Sequence, residues 1–146
     1  MKAKEVSAEV AKQRAYYAAT AELYDAKHVS HDDEHAQALA LLSGFAGRTD
    51  HASFLDIGAG TGRGIRALRN AFPDARIVGV EPVAELRATG LATGDLGVDT
   101  LIDGDATALE FEGDAFDWVV ETGVLHHVRI SRPLCAKWSV SPVWGC

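Results

Sequence analysis

Residues suited to binding a nucleotide cofactor are concentrated in one glycine-rich stretch, at positions 54–68. It opens with a short apolar run, typical of a parallel strand covered on both faces, and continues with apolar residues at helical spacing. Between the two lie Gly58, Gly60 and Gly62, which lack a Cβ and let a ligand approach the main chain. The start of the following helix adds free backbone N–H groups. The stretch therefore predicts a strand, a cofactor loop and a helix.

The spacing of these glycines separates the cofactor classes. A dinucleotide fingerprint, G-x-G-x-x-G, needs a small residue where this chain has Arg63. The chain reads D-x-G-x-G-x-G instead, and this resembles motif I of the class I S-adenosylmethionine-dependent methyltransferases. In that family the loop packs against the methionine part of the cofactor and binds no phosphate. A purely structural βα turn is the alternative. The resemblance implies that the cofactor is bound by Asp56, Gly58, Ala59, Gly60 and Gly62.

An acidic residue ends the second predicted strand, within residues 74–82. Glu81 follows Gly62 by 19 positions, an interval that in a βαβ unit brings its carboxylate beside the glycine loop. There it can accept both hydroxyls of a ribose. The resemblance implies that Glu81 holds the ribose of S-adenosylmethionine and that Pro82 lies near the adenine. An acid at this place also suits NAD, so an NAD-linked oxidoreductase remains an alternative.

The third predicted strand, residues 99–103, is followed by Gly104, Asp105 and Ala106. This resembles the G-D-A segment of the same family. The side-chain oxygens of Asp105 can accept from the exocyclic amine of adenine, and backbone N–H groups beside it can meet a ring nitrogen. The resemblance implies that Asp105 and Ala106 bind the cofactor. A simple turn is the structural alternative.

The fourth predicted strand, residues 116–121, leads into a segment that resembles motif IV of the family. The resemblance places Glu121 and Thr122 against the methionine end of the cofactor. It places His126 or His127 near the acceptor, where an imidazole can take a proton, although packing at a helix start explains them equally well. No catalytic residue is assigned. The Asn-Pro-Pro-Tyr tetrad of nucleic-acid base methyltransferases is absent, which favours a small-molecule acceptor.

Residues 1–50 predict an N-terminal helical lid. One helix is expected over residues 5–25, and a second, capped at 30–33, ends near Gly47. The apolar stripe of the second helix is Ala38, Leu39, Leu42 and Phe45. The A-x-x-Y-D sequence at 21–25 resembles a lid segment of small-molecule methyltransferases, so Tyr24 either closes over the ligand or packs the helix onto the sheet.

A zinc-protease pattern, H-x-x-E-H, is formed by His31, Glu34 and His35. His31 falls in the predicted helix cap, and no third ligand stands in a recognisable context. We therefore predict an acidic, solvated helix start and no metal site.

Composition restricts the function further. A net charge of −7 argues against a surface that binds nucleic-acid phosphates. No apolar run approaches the length of a membrane span, and Cys135 and Cys146 form no metal or redox spacing, so a cytoplasmic location is expected. At 146 residues, one domain is expected.

The last 18 residues, 129–146, contain no Asp or Glu, although the chain has 21 acidic residues. We predict an α/β fold, a Rossmann-like, partial doubly wound parallel sheet, with its core in residues 51–128 and an atypical tail in 129–146. The family resemblance implies the strand order 3-2-1-4. The later strands of the family are missing, which indicates a truncated or aberrant chain. The exposed fourth strand then favours self-association, and a non-catalytic cofactor-binding half domain is a further alternative.

Overall fold

A computed structural model describes residues 7–28, 30, 33–46, 52–122 and 124. The fold is a four-stranded sheet with helices before and between its strands. In chain order the elements are α1 (Ala8–Thr20), a 3₁₀-helix (Ala21–Leu23), α2 (Tyr24–His28), α3 (Glu34–Ala46), β1 (Ser53–Ile57), α4 (Arg63–Ala71), β2 (Arg76–Val80), α5 (Ala84–Ala92), β3 (Leu101–Ile102) and β4 (Trp118–Glu121).

The strands lie in the order β3-β2-β1-β4 and all three pairings are parallel. The predicted α/β class and strand order are therefore confirmed. Ile57 at the end of β1 lies opposite Val80 of β2 and Glu121 of β4, so the carboxyl ends of these three strands are level with one another. The chain leaves β1 on one side for β2 and β3 and returns to its other side for β4. Such a switch point opens a crevice at the carboxyl ends of the strands.

Both faces of β1 are buried, as its short apolar run predicts. On one face Phe54 stacks on Phe72 and Trp118, with ring centroids 4.9 and 6.4 Å apart, and the same cluster contains Ile65 and Leu68 of α4. On the other face Leu55 and Ile57 pack with Val78, Val80 and Phe116. Packing on both faces fixes the position of β1 in the sheet, and therefore the position of the glycine loop that follows it.

The N-terminal helices differ from the prediction in two respects. The single helix expected over residues 5–25 is divided at Thr20, where a 3₁₀-helix intervenes. In α3 only Leu39 and Leu42 of the predicted stripe pack inward, whereas Ala38 is exposed and Phe45 is 77% exposed. The helix contacts α4, and positions 38 and 45 lie on the side of Leu42 that is turned away from Leu39.

In the part of the chain that the structure describes, no helix is long and apolar enough to cross a membrane. Within those same residues no strand pairs with the outer side of β4. His126, His127, both cysteines and the tail 129–146 lie outside the described residues.

Candidate cofactor-binding site

A cavity of about 500 Å³ lies at the carboxyl ends of the strands, between them and the N-terminal helices. Its walls include residues from the loops after all four strands. Of the residues predicted to bind the cofactor, all except Gly62 and Glu121 line it. They are Asp56, Gly58, Ala59, Gly60, Glu81, Pro82, Asp105, Ala106 and Thr122.

The glycine loop is held over the end of β2 by its own backbone. The N–H groups of Gly58 and Ala59 both donate to the Val80 carbonyl oxygen, at 2.8 and 3.0 Å. Gly58 has φ of +72°, and a Cβ built there would lie 1.9 Å from Cγ2 of Val124. A side chain at this position is therefore disfavoured by the backbone conformation and would collide with Val124.

Gly62 does not lie on the cavity wall, and its contact with the cofactor stays a prediction. It precedes the first residue of α4 with φ of +91°, and a Cβ there would lie 2.3 Å from Cδ1 of Leu96. Because Gly62 lacks a Cβ, it can adopt this backbone conformation before α4 and can pack closely against Leu96. Glu121 also lies outside the wall. Its carboxylate accepts a hydrogen bond from the Val124 N–H, and its neighbour Thr122 lines the cavity in its place.

Glu81 joins the end of β2 to the glycine loop. Its Oε2 accepts from the Gly60 N–H at 3.1 Å and its Oε1 from the Val83 N–H at 2.9 Å. Burial raises the pKa of this carboxyl, although the two N–H donors and Arg87 oppose the rise. Each oxygen keeps a lone pair beyond the bond that it already accepts, so the carboxylate can still receive two hydroxyl donors.

Asp105 is held by three donors. The N–H and the hydroxyl of Thr107 donate to its Oδ1, at 2.8 and 2.7 Å, and Nη2 of Arg14 donates to its Oδ2 at 2.5 Å. Partial burial acts to raise the pKa of this carboxyl, but the bonds from Arg14 and Thr107 outweigh burial and leave the pKa below its usual value.

Asp56 is the most deeply placed acid of the site, with 2% of its surface exposed. It faces the first turn of α4, where a Cβ on Gly64 would meet its Oδ2 at 2.3 Å. Burial, together with the charges of Glu81 and Glu121, raises the pKa of the Asp56 carboxyl to about 7. A cationic group bound in the cavity would favour the ionised form of this carboxyl.

This shift predicts a pH dependence of stability. The folded pKa of Asp56 lies above the value of about 3.9 expected in the unfolded chain, so folding favours the protonated form. The contribution of Asp56 is therefore fully present below about pH 4 and is lost as the pH rises towards 7. We expect the free energy of unfolding of the ligand-free protein to fall over that range, and Asp56→Asn to flatten the fall. Urea denaturation at a series of pH values measures this free energy. An equally steep fall in the Asn variant would contradict the assignment of the pH dependence to Asp56.

The N-terminal helices are fastened to the site by polar side chains that sequence reasoning missed. Arg63 forms a bidentate pair with Asp33, both contacts 2.7 Å, and this pair lowers the pKa of the Asp33 carboxyl. The Thr61 hydroxyl donates to Asp25 at 2.5 Å. Arg63 and Thr61 flank Gly62, but nothing in the sequence identifies their partners, which lie 30 and 36 residues away.

Tyr24 stands between the cavity and the N-terminal helices, and its closing over a ligand stays a prediction. It lines the cavity, where a Cβ on Gly60 would lie 3.7 Å from its ring, and it packs edge-on against Tyr17. Burial is the first cause that raises the pKa of its hydroxyl, followed by the neighbouring Tyr17 and Glu81.

The H-x-x-E-H pattern is only partly described, because His31 lies outside the described residues. Asp33 caps α3 by accepting from the Ala36 N–H at 2.9 Å, as expected for an acidic helix start. Glu34 and His35 line the cavity. Among the described residues, no three His, Cys, Asp or Glu side chains form a group that could hold a metal ion.

The family model described as a methyltransferase domain matches residues 55–138, more than half of the chain. The chain therefore belongs to this methyltransferase family. The cofactor indicated by that membership is S-adenosyl-L-methionine, as the sequence predicts. The match continues to residue 138, ten positions into the segment that composition sets apart as a tail.

Solved structures share the fold at low identity. YcgJ from Bacillus subtilis is 24% identical with a TM-score of 0.60, over 71% of this chain and 45% of that protein. A phosphoethanolamine N-methyltransferase 2 from Haemonchus contortus is 22% identical with a TM-score of 0.71, over 91% and 33%. The DhpI–SAM–HEP complex is 24% identical with a TM-score of 0.59, over 92% and 60%.

The chain thus spans less than two thirds of the length of these solved proteins. A comparison with curated proteins gives no significant match.

Proposed function

We propose that the chain binds S-adenosyl-L-methionine in the cavity and transfers its methyl group to a small-molecule acceptor. The observation that carries the proposal is that one cavity is lined by nine of the eleven predicted cofactor residues, with members at the carboxyl ends of all four strands. Family membership supports methyl transfer as the chemistry.

Each part of the cofactor has a matching wall. We assign the ribose hydroxyls to Glu81, the adenine to Pro82, Asp105 and Ala106, and the methionine end to the glycine loop and Thr122. Asp56 lies behind that loop, where its carboxyl stabilises a nearby positive charge such as the sulfonium or the amino group. Methyl transfer from a sulfonium needs mainly alignment and exclusion of water, so these residues meet much of the requirement without a catalytic base.

A small acceptor is favoured over a macromolecule by two features. The cavity is covered by the N-terminal helices through the Arg14, Asp25 and Asp33 contacts, which leaves little surface for a folded partner at the strand ends. The net charge of −7 disfavours nucleic acid. The Haemonchus contortus structure contains phosphomonomethylethanolamine together with S-adenosylhomocysteine, which is consistent with this substrate size.

A methyl-transfer assay tests the acceptor class. The protein and S-adenosylmethionine carrying a labelled methyl group are offered pools of small amines, alcohols and thiols, and separately tRNA, duplex DNA and unfolded protein. We expect label to enter a small-molecule pool and none of the polymers. Label in a polymer alone would contradict the small-molecule proposal and leave cofactor binding standing.

Two alternatives remain distinguishable. An NAD-linked oxidoreductase would use the same Glu81, and a non-catalytic half domain would bind cofactor without turnover. We propose the methyltransferase because the pattern at Gly58–Gly60 lacks a small residue at position 63, where the structure has Arg63 paired with Asp33.

We also propose the domain division 1–50, 51–128 and 129–146 and a cytoplasmic location.

We propose further that the chain self-associates through β4. This proposal rests on the position of β4 at an edge of the described sheet, with Trp118 and Val119 half-buried. Light scattering over a range of concentrations should give a mass above that of one chain. A stable monomer with ordinary turnover would contradict this and would indicate that residues 129–146 complete the domain.

A further inference from the structure

One face of α1 forms a wall of the cavity. Val10, Gln13, Arg14 and Tyr17 all line it, and their spacing of three, four and seven places them on a single side of the helix. Yet α1 has no buried residue. Two of its residues, Tyr17 and Ala18, are partly buried against the apolar cluster of Ala21, Val83 and Leu86. The ion pair from Arg14 to Asp105 adds a polar contact, the tightest that the structure describes for this helix.

The hydrogen bonds of Asp105 leave one place for a further donor. A carboxylate oxygen accepts two hydrogen bonds in its plane. Both places on Oδ1 are taken by Thr107, through its N–H at 2.8 Å and its hydroxyl at 2.7 Å. Oδ2 accepts only from Arg14, at 2.5 Å, among the described contacts. A donor that enters from the cavity must therefore bind the same oxygen that Arg14 holds.

We propose that Arg14 is a positioning residue for the adenine end of the cofactor: it holds Oδ2 of Asp105 where the exocyclic amine donates, and it fixes α1 as the wall over the ring. The inference rests on the proposed function, because it takes the bound molecule to be S-adenosylmethionine. Arg14 acts through Asp105 and the helix that carries it, not on the transferred methyl group. It therefore sets the preference for an amine at that position of the base.

A pair of cofactor analogues tests this preference directly. S-adenosylhomocysteine carries the exocyclic amine, and S-inosylhomocysteine carries a carbonyl oxygen there, which the Asp105 carboxylate repels. The wild-type chain should bind the first at least about tenfold more tightly, as expected for one charge-assisted hydrogen bond gained or lost. Arg14→Ala should weaken binding of S-adenosylhomocysteine by about tenfold and that of S-inosylhomocysteine by about threefold or less, so that the preference shrinks.

Matched variants separate positioning from a general loss of structure. Lys12→Ala removes a neighbouring cation on the exposed side of α1 and should leave both affinities unchanged. Arg14→Lys keeps the charge and should recover part of the preference, and it replaces Arg14→Ala if the alanine variant does not fold. Hydrogen exchange gives a second measurement: S-adenosylhomocysteine should slow exchange in residues 8–20 of the wild type and much less in the Arg14 variant.

Equal weakening of both analogues by Arg14→Ala would overturn the inference, as would unchanged affinities or a wild type that does not distinguish the two. These results would leave the proposed function intact, since S-adenosylhomocysteine would still bind. A wild type that binds neither analogue would overturn the proposed function, and this inference would fail with it.

Discussion

Glu81→Ala is expected to weaken binding of S-adenosylhomocysteine by about ten- to a hundredfold, equivalent to about 1.5 to 3 kcal/mol for a charge-assisted contact. Two effects combine in this estimate. The acceptor for both ribose hydroxyls is lost, and the N–H groups of Gly60 and Val83, which now donate to this carboxylate at 3.1 and 2.9 Å, lose their partner. Because Gly60 belongs to the cofactor loop, the second effect also loosens the wall beside the methionine end.

Calorimetric titration measures this effect, with circular dichroism as the check on folding. Glu81→Asp should retain part of the affinity, since it keeps the charge on a shorter side chain. Glu85→Ala is the matched control, because Glu85 is an exposed acid in the first turn of α5 and does not line the cavity. An unchanged dissociation constant in a folded Glu81→Ala protein would remove Glu81 from the site.

Gly90→Ala is expected to destabilise the protein by about 2 kcal/mol, although helix propensity alone would favour alanine by up to about 1 kcal/mol. A Cβ at Gly90 would lie 2.3 Å from the carbonyl oxygen of Thr61 and 2.8 Å from its carbonyl carbon. These are backbone atoms of the cofactor loop, held between Gly60 and Gly62, and they cannot rotate away as a side chain would. Either α5 or the loop must move, so cofactor affinity should fall as well.

Gly44→Ala is the control for this substitution. Gly44 lies in α3, and a Cβ there would have no atom of the described residues within 4 Å. That variant should gain up to about 1 kcal/mol from helix propensity. The two substitutions are chemically identical and should have opposite signs in urea denaturation. A stabilised Gly90→Ala protein would show that α5 does not press on the loop as the structure describes.

The sequence predicts the parts of this site that follow from local pattern and chain topology. The apolar run of β1, the glycine turn and the acid after β2 each occur where a βαβ unit must place them, so Gly58, Gly60 and Glu81 are found at the cavity. Gly62 has a structural role whether or not it also binds the cofactor. A glycine needed for a positive φ and for contact with Leu96 looks the same in sequence as one needed for a ligand.

Other features depend on tertiary contacts that no local pattern encodes. Arg14 and Asp105 are 91 residues apart, so no local pattern in the sequence indicates that they form an ion pair. Phe45 illustrates the opposite error, because its helical spacing suggests a buried position but its side chain is 77% exposed in the folded chain. Burial of charged residues such as Asp56 likewise follows from what packs above the strand end, not from the residues beside it.

Titration of the wild-type protein with S-adenosylhomocysteine and with NAD tests most directly the claim that the cavity at the strand ends is an S-adenosylmethionine site. S-adenosylhomocysteine should bind at one site per chain, and an excess of NAD should neither produce heat nor displace it. Binding of NAD, with no heat from S-adenosylhomocysteine, would contradict the account.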